Sequence, residues 1–344
     1  MQIDHQRAYW LEVGGLTLGA ILLFRFGLLG LVFLVPIQLV WIRRGEESAV
    51  LSSAAFLAGI ALLKGVDLIR LRQIAGPEEV SAGLLLLDLV FAAGLLIGLF
   101  VMNSERLVIP SGENATRPLT VAERMLIATG VGAAVYGPTI GLIVAGDSAD
   151  QIIAAQIEIL RPLFSATGAT SEEIGLLTEV VMSALLSGLL FGYFVLLISN
   201  WWIGTQFAFK SRFSLPAGNP VMARLAGYEL TEFTLPTYLV WALIGAWGGV
   251  LASISLELGW VSYLFWNAAF VMLALYAIQG IAIVWFYLDK RKMQRGARVG
   301  LAVAFVFGLL IPGLQLLIGL GLPGLGVSEI WIDYHRLKGS EEVP

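Results

Sequence analysis

One uninterrupted apolar run, from Ile174 to Ile203, constrains this chain more than any other feature. The only formal charge within it is Glu179. A hydrocarbon core about 30 Å thick needs about 20 helical residues, so a run this long must tilt or project from the membrane as a helix. It ends in Asn200 and two tryptophans, which suit the membrane interface. The run therefore predicts a long membrane-spanning helix.

The composition places the whole chain among polytopic membrane proteins. Of its 344 residues, 58% are hydrophobic and 13% are charged, whereas soluble domains carry about 25% charged residues. The chain has no cysteine and only two histidines, close to the two termini. Disulfides, thiolate chemistry and a histidine metal site within the membrane are therefore excluded. We expect no cofactor, and a net charge of −4 gives no reason to expect nucleic acid.

The pattern of apolar segments predicts an all-α fold, a polytopic transmembrane helix bundle of eight or nine spans with broken helices. We expect a single transmembrane domain over residues 1–338 and a polar tail at 339–344. The first two segments are at the lower length limit for a span, so they are either two thin spans or a re-entrant pair. The spans are predicted near residues 9–24, 26–42, 49–69, 80–102, 120–145, 174–203, 235–257, 261–288 and 299–322.

Three connections carry signals of their own. Residues 150–164 place apolar side chains on one face opposite Glu158 and Arg161, which predicts an amphipathic helix at the interface. Residues 204–233 form the longest polar connection, which is moderately basic. Thr120 and Glu123 fit a capping box at the start of the fifth helix.

Two predicted spans contain helix-breaking residues. The fifth carries Gly137 and Pro138, and the ninth carries Pro312-Gly313 followed by Gln315. Proline removes a backbone donor, so we expect a kink or a local break at each place. In transporters such breaks often line the substrate site, although plain kinks are commoner. We therefore take Gly137, Pro138 and Gln315 as substrate-binding candidates.

Asp88 is the strongest candidate for a functional residue, since it lies within the apolar fourth segment. An unpaired carboxylate in the membrane is costly, so Asp88 should pair or be protonated. Lys64 and Arg25 are the candidate partners, and a purely structural role is the alternative. Lys64 also shares a helical face with Asp67 and Arg70. For that face we favour a helix end emerging into water over a buried ion-pair network.

Polar amides and small residues give further candidates. Asn267 and Gln279 lie in the eighth segment and are taken as substrate-binding candidates, although interhelical hydrogen bonding is the default interpretation. Gly15 and Gly19 form a Gly-x-x-x-Gly pattern, which favours close packing of another membrane helix.

The orientation follows from the positive charges. With nine spans, 14 of the 21 Lys and Arg residues fall on the side of the N-terminus, which predicts a cytoplasmic N-terminus in a bacterial inner membrane. The first residues lack the basic region and cleavage site of a signal peptide, so we expect the first helix to remain as an anchor.

Several short motifs resemble those of one family across most of the chain. These motifs are Arg43-Arg44-Gly45, Asn200 closing the long helix, Phe233-Thr-Leu-Pro236 with Trp241, Asn267 with Gln279-Gly280, and the tail from Gly326 to Arg336. The chain is similar to the YybS-like family of bacterial multi-pass membrane proteins, a domain of unknown function. Its tail departs from the family pattern at Glu329 and His335, where Asp and Arg are usual.

The family resembles, more distantly, the substrate-binding S-components of energy-coupling-factor vitamin transporters and the rod-shape protein MreD. The first resemblance implies a small-solute-binding or transport subunit that lacks its own energy-coupling domain. The second implies a non-enzymatic scaffold for partner proteins of the cell envelope, docked through the Gly15/Gly19 face or loop 204–233. The motifs of common enzyme classes are absent from the sequence, and its carboxylates are scattered singly, so we expect no enzyme. Membrane lipid is the remaining expected partner.

Overall fold

The computed structural model describes residues 2–75, 82–104, 107–110, 116–145, 171–210, 230–308 and 310–334. The chain divides into two compact units. The first comprises residues 1–186 and 192–225, and the second comprises residues 187–191 and 226–344. The predicted amphipathic helix at 150–164, the central part of loop 204–233 and the tail at 339–344 lie outside the described residues.

Nearly all of the described chain is helical, which confirms the all-α fold. The helices of the first unit, with α6 also contributing to the second, are α1 Gln2–Arg25, α2 Val35–Arg44, α3 Glu46–Ala75, α4 Ala82–Asn103, α5 Val121–Ala145 and α6 Ser171–Lys210. The other helices of the second unit are α7 Leu239–Leu256, α8 Val261–Lys290, α9 Arg295–Gly308 and α10 Leu314–Ser328. Short 3-10 turns occupy Gly27–Val32 and Leu230–Glu232.

Five of the described helices are long and apolar enough to cross a membrane. They contain the segments Gln6–Arg25, Glu46–Arg70, Gly175–Ala208, Leu239–Leu256 and Val261–Lys290. Shorter apolar helices include Leu87–Asn103 and Leu314–Ser328. The protein is therefore a multi-pass membrane protein. Helix α6 continues to Lys210, so the connection predicted from residue 204 begins later than expected.

Helices α1 and α3 run parallel, as three contacts between them show. The Tyr9 hydroxyl bonds the Ser48 hydroxyl at 2.8 Å, and the Thr17 hydroxyl bonds that of Ser52 at 2.7 Å. Arg25, at the end of α1, pairs with Asp67. Residue numbers rise together along both helices, so the chain between them must return along the length of α1.

The returning segment differs from the single helix predicted over residues 26–42. It consists of the 3-10 turn Gly27–Val32 and the ten-residue helix α2. The Phe33 ring meets that of Phe24 edge to face, with ring centroids 5.0 Å apart, and Arg43 Nη1 lies 3.1 Å from Glu12 Oε1. The segment therefore retraces α1 from residue 24 back to residue 12, as a broken rather than a continuous helix.

A tyrosine held by glycines packs α4, α5 and α6 together. Tyr193 of α6 is 2% exposed, and its hydroxyl donates to Gly94 O at 2.7 Å. A Cβ atom at Gly132 would overlap the Tyr193 ring, and one at Gly98 would lie 2.8 Å from Leu197 Cδ2. The missing side chains of two helices thus make the space that the tyrosine fills.

The polar connection before α5 contains a small antiparallel ribbon. Strand β1, Val108–Pro110, pairs with strand β2, Thr116–Pro118. The capping box then forms as predicted, because Thr120 N–H donates to Glu123 Oε2 at 2.8 Å and Glu123 N–H donates to Thr120 Oγ1 at 3.3 Å. Arg117 of β2 adds a two-pronged ion pair to Glu123.

In the second unit, α8 packs against both α7 and α10. Ala246, Val250 and Ala269 form a buried cluster between α7 and α8. The ninth predicted span is broken as expected, since α9 ends at Gly308 and α10 begins after Gly313. Gly313 has φ +87°, a conformation that favours glycine, so it allows the sharp restart.

Candidate functional site

Four charged side chains from α1, α3 and α4 meet in the first unit. Arg25 donates to both oxygens of Asp67, at 2.6 and 3.2 Å. Lys64 forms an ion pair with Asp88. We call Arg25, Lys64, Asp67 and Asp88 the charged cluster. The structure thus places Asp88 against Lys64, one of the two partners that the sequence suggested, while Arg25 pairs elsewhere.

The sequence positions these groups by simple means. Lys64 and Asp67 are three residues apart on α3 and therefore share a face. Arg25 is the last residue of α1, where a cation is favoured by the helix dipole. Asp88 lies within the second turn of α4. Each side chain of the cluster is between about a third and a half exposed, so the cluster opens on the surface of its unit.

A second set of ion pairs bears on how deep the charged cluster lies in a membrane. Near the start of α1, Glu12 pairs with both Arg43 and Arg44. From Glu12 to Arg25 the helix rises only about 20 Å, while the hydrocarbon core is about 30 Å thick. If the two sets face opposite membrane surfaces, the backbone of at least one lies within the hydrocarbon region or the bilayer thins around it, while long cationic side chains can extend their charges to the interface.

A cavity of about 310 Å³ adjoins the charged cluster. Its polar wall consists of Arg25, Lys64 and Asp67. Its apolar wall is formed by Ile21, Phe24, Ile60 and Leu63. Asp88 does not line the cavity itself but pairs with Lys64, which does. Cavities of this size hold small ligands, and convergent charged groups supply orientation. The arrangement can hold a small molecule that carries charge.

The amide candidates of the second unit have structural partners. Asn267 accepts from Leu190 N–H at 2.7 Å and donates to Tyr263 O at 2.7 Å. Gln279 donates to Glu329 through its amide nitrogen. Its Oε1 atom and the Tyr276 hydroxyl are buried without a hydrogen-bond partner among the described residues.

The remaining substrate candidates lie on α5 and α10. Gly137 and Pro138 are exposed on α5, and Gln315 is exposed on α10. Helix α5 continues through Pro138 to Ala145, so the local break considered there is absent from this helix. Tyr136, the neighbour of Gly137 on α5, is close enough to Asp88 for an electrostatic interaction. The substrate roles of the three candidates stay predictions.

The Gly15 and Gly19 positions face open space. A Cβ atom at either would meet nothing within 4 Å. Helix α1 instead packs through Val13 and Thr17, which are buried. Among the described residues, then, the Gly-x-x-x-Gly face is not used for packing.

Sequence reasoning missed the extent of the cluster. It favoured a helix end emerging into water for the Lys64 and Asp67 face, and in the structure both residues stay partly exposed and also pair with neighbouring helices. The three-residue spacing was the available signal. The spacing alone does not reveal that Arg25 ends beside Asp67, because that depends on the parallel course of α1 and α3.

Comparison with known proteins adds one finding. The family described as "Predicted membrane protein (DUF2232)" matches residues 122–323, more than half of the chain. The chain belongs to this family. The DUF2232 match confirms the resemblance to a family of multi-pass membrane proteins. Neither the curated proteins nor the solved structures contain a match to the chain.

The motifs that suggested a family of multi-pass membrane proteins now have structural roles. Asn200 accepts from Leu34 N–H at 3.0 Å and donates to Leu31 O at 2.7 Å, so it satisfies the backbone where α2 begins. Gln279-Gly280 meets the segment from Gly326 to Glu329. A Cβ atom at Gly280 would overlap the Leu322 carbonyl, and one at Gly326 would overlap that of Tyr276. Two sequence motifs of this DUF2232 member are therefore each other's partners.

Proposed function

We propose that this membrane protein is a small-solute-binding or transport subunit without its own energy-coupling domain. The observation that supports the proposal best is the cavity between α1 and α3, walled by Arg25, Lys64 and Asp67. Ionisable groups within a membrane are costly, so their presence beside a cavity favours a role in binding.

The chemistry of the walls favours a charged solute. The cluster has two cations and two carboxylates, and its ion pairs are partly exposed. Their partial exposure leaves the paired groups accessible to a solute group of opposite charge. A solute with both signs of charge matches both kinds of wall group.

We also propose that the protein is not an enzyme and that it lies in a bacterial inner membrane with a cytoplasmic N-terminus. The two-to-one distribution of positive charges supports this orientation. Carboxylates paired singly with cations, as in the charged cluster, favour binding over acid–base catalysis.

The test is extraction of bound molecules from the purified full chain. Water-soluble and lipid extracts would be analysed by mass spectrometry for the native protein, Asp88→Asn and Asp289→Asn. Asp289 is a matched control, because it pairs with Arg298 and is 39% exposed, against 41% for Asp88. We expect a bound molecule in the native protein and the control, and about ten-fold less in Asp88→Asn, equivalent to about 1.4 kcal/mol.

Two outcomes would overturn this proposal. One is the absence of any bound molecule in either extract of the native protein. The other is an equal amount of the same molecule in all three proteins, since Asp88 would then have no influence on the cavity through Lys64.

A scaffold that docks partner proteins is the second candidate, and the open face at Gly15 and Gly19 supports it. Small residues let a second helix approach closely in lipid. Gly15→Leu with Gly19→Leu would block such an approach, and Gly14→Leu, also open, is the control. Loss of a co-purifying protein from the double variant alone would favour the scaffold, and retention would count against it.

A further inference from the structure

We infer that the occupant of the cavity is the head group of a zwitterionic phospholipid with a primary ammonium group, of the ethanolamine class. The inference rests on the proposed function, because it names the ligand of the same cavity. The shared chemistry is a phosphate joined to an ammonium, which a soluble phosphoethanolamine also offers.

The first argument for a lipid is the order of the wall residues along α1 and α3. Ile21 precedes Arg25 by four residues on α1, and Ile60 precedes Lys64 by four residues on α3. Four residues are about one helical turn, or about 5.4 Å. Because the two helices run parallel, both apolar residues lie on the same side of the charged ones. The cavity is therefore apolar at the level of Ile21 and Ile60, and one turn away the charged groups join its wall beside Phe24 and Leu63.

This order matches the order of groups in a bilayer. The charged end is near the end of α1, whereas the apolar end points along α1 toward its middle. A lipid at this place would set its head group against the charges and its acyl chains along Ile21 and Ile60. A soluble solute has no apolar tail to place against those side chains.

The charges also match in kind. Arg25 gives two of its N–H groups to Asp67, and a guanidinium has five. Lys64 has three donors and gives one to Asp88. These two cations can bind a phosphate, as Arg and Lys do widely. The Asp67 carboxylate can accept a hydrogen bond from a primary ammonium. A quaternary ammonium has no N–H group to donate.

The size of the cavity fits a head group rather than a whole lipid. About 310 Å³ is at the lower end of ligand pockets. Leu62, on the same side of Lys64 as Ile60, is strongly exposed and apolar, as expected for a surface that contacts lipid. Acyl chains can therefore stay in the bilayer while the head group enters.

Native mass spectrometry of the full chain in detergent tests the inference. Equal amounts of phosphatidylethanolamine and phosphatidylcholine with identical acyl chains would compete for the protein. Because only the primary ammonium can donate a hydrogen bond to Asp67, we expect the ethanolamine lipid to be favoured about ten-fold or more. Asp67→Asn should bring the ratio close to one, while Asp289→Asn should keep it.

Equal binding of the two lipids, or an unchanged ratio in Asp67→Asn, would overturn the inference. Where Asp67→Asn fails to fold, Leu63→Trp serves as the second variant. It fills the cavity and leaves the charges in place, so it should reduce binding of the ethanolamine lipid by a similar factor. Unchanged binding to a folded Leu63→Trp protein would equally overturn the inference.

A third arm separates this inference from the proposed function. Soluble phosphoethanolamine would be added in excess to the lipid-bound protein. Retention of the ethanolamine lipid against this excess supports the lipid as ligand. Binding of a soluble molecule with no lipid preference overturns the inference and leaves the solute-binding proposal intact. Absence of both kinds of ligand overturns both.

Discussion

The ring of Tyr193 occupies the space that Gly132 leaves open on α5. A Cβ atom at Gly132 would overlap the ring, and the tyrosine is almost fully buried. The side chain has no free direction in which to move, because its hydroxyl also donates to Gly94 O. Glycine at position 132 is therefore required by packing rather than by backbone conformation.

Replacing that glycine should destabilise the protein. Gly132→Ala forces overpacking against Tyr193, which costs about 1–3 kcal/mol. Gly130→Ala is the control, since a Cβ atom there meets nothing within 4 Å. Thermal unfolding in detergent should show a lowered midpoint for Gly132→Ala only. Equal midpoints for the two variants would contradict the packing described.

Loss of the hydroxyl group should lower the thermal stability at one buried tyrosine and not at the other. Tyr193→Phe removes a hydrogen bond of 2.7 Å to Gly94 O and should cost about 1 kcal/mol. The Tyr276 hydroxyl is buried without a partner among the described residues, so Tyr276→Phe should be neutral or stabilising. The midpoints of thermal unfolding compare the two directly. An equal loss in both variants would mean that the Tyr276 hydroxyl has a partner, such as water.

The hydrogen bonds of Asn200 should be needed for the broken return segment. Asn200→Ala leaves Leu34 N–H and Leu31 O without their side-chain partner, and each unsatisfied buried group costs about 1–3 kcal/mol. Ser199→Ala is the adjacent control. We expect a strong loss of thermal stability for Asn200→Ala and little change for the control. A stable Asn200→Ala protein would show that the junction satisfies its backbone in another way.

The crossing of α8 and α10 should not tolerate a methyl group. Gly326→Ala would push a Cβ atom into the backbone carbonyl of Tyr276, which cannot rotate away as a side chain can. Gly324→Ala is the control, because Gly324 is about half a helical turn from Gly326 and a Cβ atom there would meet nothing within 4 Å. We expect a loss of about 1–3 kcal/mol in the first variant alone, measured as protease resistance and unfolding midpoint. Similar values for both would contradict the close crossing.

Features set by neighbouring residues could be predicted from the sequence. The capping box of Thr120 and Glu123 involves residues three apart, and it forms as expected. The interruption at Pro312-Gly313 also follows from local backbone chemistry, and the helices end and restart there. Both depend on interactions within a single turn, so no knowledge of tertiary packing was needed.

Features set by distant residues could not be predicted. The segment after Arg25 reads as one helix, yet it breaks at a junction whose backbone groups are satisfied by Asn200, far along the chain. The partner of Asp88 depends on how α3 and α4 are rotated about their axes in the packed bundle. The sequence therefore could not decide between Lys64 and Arg25. A polar residue in an apolar run shows that a partner is needed, but not which one.

The most direct test of the proposed binding site is whether polar reagents reach its cavity. The chain has no cysteine, so each of two variants introduces a single thiol. Leu63→Cys places it in the cavity wall. Leu62→Cys places it on the neighbouring apolar surface, where Leu62 is 72% exposed. Thiols react as thiolates, which need a polar environment. In membrane vesicles, a charged maleimide should label Leu63→Cys much faster than Leu62→Cys, and the ligand should slow that labelling. Equal labelling, or none at Leu63→Cys, would contradict a polar binding cavity beside the charged cluster.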